Sequence, residues 1–198
     1  MVADERRSET CRRRLAATIG GAGFGSAFLA RVLPHLWNLT PTGAAVAFTA
    51  ARLGVGWSLV GLVVTMVASD VVLWLATYRA MGFPLFGWQT PFVYVGLAGY
   101  AGFAAWLARG RRVVGPCAAL VGGSAWFFVV SNFGVWLGGA YPATPAGLVD
   151  CYVRALPFWR NMLLGDAVFG LLLFGAYEWL SRRAVAEAAG EAAALDKS

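Results

Sequence analysis

The chain has 198 residues, 59% of them hydrophobic and only 13% charged, with a formal net charge of +6 and a mean hydropathy of +0.64. That composition excludes an ordinary water-soluble domain, a disordered chain, a collagen-like repeat and a disulfide scaffold. The basic residues stand in short clusters between long apolar runs instead of along one polar face, so they speak for membrane topology and against nucleic acid.

In chain order, residues 1–14 form a basic segment rich in arginine, residues 15–182 a transmembrane domain, and residues 183–198 a tail that alternates alanine with acidic positions. A helical span needs roughly 20 apolar residues. Five stretches meet this: 15–33, 57–78, 91–108, 113–139 and 162–180. The first is long for a cleavable signal core and is followed by further spans, so it reads as a retained helix. A sixth stretch, 43–53, has 11 residues and would cover about 16 Å as a helix.

Arginine and lysine collect in cytoplasmic loops, which decides whether 43–53 crosses. If it does, 12 basic residues fall inside and Arg31, Arg79, Arg154 and Arg160 remain outside; if it does not, the division is 8 to 8. The expected fold is therefore all-α, a polytopic bundle of six transmembrane helices with both termini cytoplasmic. Residues 138–157 read as a long outer connection containing the turn-rich Tyr141-Pro142-Ala143-Thr144-Pro145.

Ionisable groups at mid-bilayer cost about 2.5–3.5 kcal/mol each on insertion scales, so their placement carries information. Asp70 lies eight residues before Tyr78, Asn132 about as far from the end of its span, and Asp166 six residues after Arg160. On these span boundaries the three fall at one depth beneath the outer surface. The outer connections add Arg31, His35, Asn38 and Thr40 after the first span, Trp88 before the fourth, and Arg160 and Asn161 before the last, while Trp136 ends the fifth. Polar groups under one leaflet and apolar filler under the other suit a pocket open to the outside. The competing reading makes the aspartates structural, paired with Arg31 or Arg160, and the tryptophans an interfacial belt.

Small residues recur at four-residue spacing as Gly21/Gly25 and Ala22/Ser26 in the first span and as Gly43/Ala47/Ala51 in the second. Such rows let helix backbones approach closely in lipid, either inside the bundle or against another membrane protein. Enzyme signals are missing: there is no G-x-S-x-G, P-loop or H-E-x-x-H. Cys11, Cys117 and Cys151 make no C-x-x-C pair, and the single histidine leaves no zinc set or triad. No catalytic residue, metal or cofactor is expected.

Two stretches carry a likeness: Arg31-Val-Leu-Pro-His-Leu-Trp-Asn-Leu-Thr-Pro-Thr-Gly43, and Ser131-Asn-Phe-Gly-Val-Trp136 continuing through Tyr141-Pro-Ala-Thr-Pro-Ala-Gly147 to Leu156-Pro-Phe-Trp-Arg-Asn161 and Leu164-Gly-Asp166. With Ser69-Asp70, they resemble an uncharacterised family of bacterial integral membrane proteins, which in turn resembles the substrate-binding S components of energy-coupling-factor vitamin transporters. The resemblance implies a six-helix protein of the bacterial cytoplasmic (inner) membrane that binds a vitamin or similar micronutrient near its outer face. It implies that Asn38, Thr40, Asp70, Asn132, Asn161 and Asp166 surround the pocket. It further implies that Gly21 and Gly25, or Ala22 and Ser26, face a transmembrane coupling subunit served by ATPases. The alternative expectation is an accessory or scaffold subunit of a larger membrane complex.

Overall fold

The computed structural model describes residues 2–33, 39–107 and 114–195. Among them all regular structure is helical, in six elements: α1 (Val2–Val32), α2 (Thr42–Leu53), α3 (Val55–Leu73), α4 (Thr90–Leu107), α5 (Val114–Val135) and α6 (Pro145–Leu195). A π-helical turn extends α3 over Trp74–Tyr78 and another extends α5 over Trp136–Ala140. Five of the six helices are long and apolar enough to cross a membrane; α2 is not. Large apolar side chains cover their outward faces, among them Trp57, Val60 and Val64 on α3 and Leu171 and Leu172 on α6. An outer surface this apolar suits lipid and not water. This is the architecture of a multi-pass membrane protein.

The shortest helix is the centre of the bundle. Residues Thr42–Ala50 of α2 are all buried, and α2 touches each of the other five helices. Its composition explains why: Gly43, Ala44, Ala45, Ala47 and Ala50 offer almost no side-chain bulk, so neighbours close in from every side. Against α1 it runs antiparallel, Gly20 facing Thr49 and Gly23 facing Ala45. A single residue, Gly54, then joins α2 to α3, and its φ of 101° is open to glycine and strained for any other residue. The Ser58 hydroxyl on α3 donates 2.7 Å to the Val46 carbonyl of α2, which satisfies a buried polar group in a place without water.

Helices α4 and α5 pack by setting aromatic rings into glycine gaps. Phe127 lies on Gly96, Phe103 on Gly122 and Tyr100 on Gly123. With no hydrophobic force between helices in lipid, this interlocking supplies the contact energy.

The boundaries of the last helix differ from the expectation. The stretch 138–157 is not a long connection, because α6 is already helical from Pro145 and continues through Pro157. Proline removes one backbone donor without ending the helix, since surrounding helices compensate for the freed carbonyl in a bundle. The connections 79–89 and 141–144 lie at the end of the bundle called upper below; Arg52 and Gly54 lie at the lower end.

Candidate functional site

Among the described residues, three polar centres in the upper and middle bundle bear on a site. The first joins α1, α3 and α4 near the upper end. Arg31, in the last turn of α1, pairs with Asp70 of α3 and donates through Nε to Ser69 Oγ at 2.7 Å. Tyr94 of α4 donates its hydroxyl to the other Asp70 oxygen at 2.9 Å. Both charged side chains keep partial exposure, 24% for Arg31 and 18% for Asp70.

The second centre is deeper. Asp166 of α6 is 2% exposed and accepts a hydrogen bond from Tyr100 of α4, itself fully buried. Its other oxygen lies against Gly43 in the first turn of α2, where a Cβ would stand only 2.6 Å away. Gly165 makes room for the incoming backbone: a Cβ there would come within 3.2 Å of the Thr40 nitrogen. Non-helical backbone at this depth is tolerated because protein packs against it.

Depth separates the two aspartates. Tyr94 and Tyr100 are six residues apart on α4, so Asp166 is held about 9 Å farther along that helix than Asp70. The expected common depth fails because α6 starts at Pro145 and places Asp166 well inside the helix instead of near its beginning.

The third centre is a cavity of about 200 Å³ between α5 and α6, lined by Phe127, Phe128, Ser131, Asn132, Ala155, Phe158, Trp159 and Met162. Trp159 stacks on Phe128 with ring centres 4.9 Å apart, and Tyr152 meets Phe128 edge-on at 5.5 Å. The Trp159 indole donates 3.0 Å to Ser124 Oγ, a residue buried beside the Tyr100 ring on Gly123. Asn132 spends an amide N–H on the Phe128 carbonyl at 2.7 Å, and Ser131 spends its hydroxyl proton on the Phe127 carbonyl at 2.7 Å. Cys151 abuts the same turn of α5, its Sγ 3.5 Å from the Asn132 carbonyl.

The residues singled out from the sequence thus divide. Arg31 and Asp70 are brought together, Thr40 and Asp166 meet at a second place through Gly165, and Asn132 belongs to the cavity. Asn161 is half-buried on α6 and Arg160 is exposed. Trp88 and Trp136 sit at the upper rim: Trp88 approaches Phe92, and Trp136 donates 3.0 Å to the Pro142 carbonyl. His35 and Asn38 lie outside the described residues.

Tyr100, Ser124 and Phe128 were not singled out. A tyrosine in mid-span is a signal, since its hydroxyl must find a partner once buried, and an intramembrane aspartate is the natural one. Among the described residues no group of three or more His, Cys, Asp and Glu could hold a metal ion.

The exterior of α1 has a distinct feature. Ala16, Gly20, Gly23 and Ala27 face inward, whereas Gly21, Ala22, Gly25 and Ser26 are exposed, and a Cβ on Gly21 or Gly25 would meet nothing within 4 Å. One helix carries two small-residue faces, one used inside the bundle and one left outside.

The matched family model covers residues 13–189 and bears the description "Family of unknown function (DUF6580)". The chain belongs to that family. The match takes in all six helices and all three polar centres. No curated protein and no solved structure matches the chain significantly.

Proposed function

We propose that this DUF6580 member is a substrate-binding membrane subunit for uptake of a vitamin or similar micronutrient, comparable to the S components of energy-coupling-factor transporters. In this reading the chain crosses the bacterial inner membrane six times, α2 completing the second crossing. The termini are cytoplasmic and the upper end faces outward. The 12 to 4 division of basic residues supports that orientation.

The observation that carries the proposal is the α5–α6 cavity, with aromatic walls and two polar side chains, in the upper half of the bundle. Aromatic side chains with a few placed polar groups are the usual lining of a small-molecule site, and here they form a half-open cleft. The chain carries no nucleotide motif. An energised partner would then supply the work, and the exposed Gly21/Ala22/Gly25/Ser26 face suits close approach of a partner helix.

Equilibrium binding of a vitamin panel to the purified protein tests this. Saturable binding of one member at micromolar concentration or tighter is expected, and no saturable ligand across the panel overturns it. The scaffold reading draws on the same α1 face. A stoichiometric complex that persists after Asn132→Leu and Ala155→Phe, with no ligand found, would favour the scaffold over the carrier.

A further inference from the structure

Among the described residues, the lining of the α5–α6 cavity contains no ionisable side chain. Arg31 and Asp70 are committed to one another across α1 and α3, and Asp166 is buried against Tyr100 and Gly43. A charged ligand in the cavity would lose its hydration and find no counter-ion on the walls.

The polar groups that do line it have a definite sense. The Ser131 hydroxyl donates to the Phe127 carbonyl, and one of the two Asn132 amide N–H groups donates to the Phe128 carbonyl. Trp159, the remaining wall residue with an N–H on its side chain, directs it to Ser124. What the wall offers is therefore mainly acceptors, the Asn132 amide oxygen and the Ser131 hydroxyl lone pairs, beside the second Asn132 amide N–H. Size adds a third restriction. Drug-sized sites begin near 300 Å³; this half-open cleft, at about 200 Å³, has room for a single substituted ring.

We infer that the α5–α6 cavity binds an uncharged, single-ring aromatic compound bearing an N–H donor, its ring against Phe128, Phe158 and Trp159 and its donor on Asn132 or Ser131. This rests on the substrate-capture reading and names the ligand chemistry for it. Trp159 acts as both wall and brace, because its bond to Ser124 holds the indole plane in place. Ala155, one turn before Trp159 on the same face of α6, is the small residue of that wall and leaves the space free.

The test uses the full-length protein in detergent or nanodiscs, titrated with benzamide and nicotinamide and with their anionic counterparts benzoate and nicotinate, alongside the vitamin panel. Expected are saturable binding of a neutral amide, binding at least about tenfold weaker for its anion, and about tenfold weaker amide binding in Asn132→Leu, the scale of one lost hydrogen bond. Ala155→Phe, which fills the space, abolishes binding. Unchanged elution volume and melting temperature certify the variants, and if Ala155→Phe does not fold, the amide-to-anion ratio of the unaltered protein decides alone. A panel member that binds as an anion, or whose binding survives Ala155→Phe, overturns the inference and leaves the capture reading standing. No binding by any compound overturns both.

Discussion

Asp70 and Asp166 are the same side chain handled in two ways. Asp70 has a cation in Arg31, a phenol in Tyr94 and residual exposure; Asp166 is enclosed, with a phenol in Tyr100 and the first turn of α2 in place of a cation. Near the upper end an arginine can follow the chain out of α1 and remain partly hydrated. Deeper in, a second buried ion would bring its own desolvation penalty, which the mutual attraction need not offset. A hydrogen bond satisfies a buried carboxyl without importing another charge. The comparison teaches that the missing side chain at Gly43 lets α2 approach the Asp166 carboxyl and the Tyr100 ring together.

The strongest challenge to that comparison is Gly43→Val. Branched bulk would be forced between Asp166 and the Tyr100 ring, both buried, and overpacking of this kind costs about 3 kcal/mol or more where nothing can move. Loss of a monodisperse folded species in detergent is the expected readout; a variant that melts like the parent would show that Asp166 does not seat on α2. Next in size, Arg31→Met leaves Asp70 without its cation and should lower stability by about 2–3 kcal/mol. Arg31→Met combined with Asp70→Asn should recover most of that loss, and absence of recovery in thermal unfolding would mean that the arginine acts mainly by packing.

Tyr100→Phe removes one donor from a buried carboxylate and keeps the ring on Gly123, for an expected loss of about 1–3 kcal/mol. If Tyr94→Phe proves the costlier of the two tyrosine changes, the deeper centre is not the one that depends on its phenol. The smallest effect belongs to the exterior. Gly21→Leu with Gly25→Leu points into open space, so the isolated protein should change by no more than about 0.5 kcal/mol. Retention of a partner in mild-detergent pull-downs should nevertheless fall. A large drop in the protein's own stability would place that face inside the bundle.

Much of the fold was legible in the residues. The five long apolar runs correspond to five helices, and the pairing of Asp70 with Arg31 was among the alternatives that an intramembrane charge demands. Other features depended on contacts between distant segments. Residues 145–161 carry proline, arginine and tyrosine, which read locally as loop; their helix is held by neighbours, as where Tyr152 donates to Val129 at 2.7 Å. Phe128 looks like any lipid-facing phenylalanine until Trp159 is laid against it.

From the amino-acid order alone came the solvent, the number of apolar runs, the distribution of basic residues and the need of each buried acid for a partner, because hydropathy and charge burial are local costs. Tertiary structure decided that an 18 Å-scale helix forms the central column, that the two acids occupy different levels, and that a cleft opens between α5 and α6. Those outcomes follow from packing, where small residues on one helix set how closely the rings and carboxylates of the others can approach.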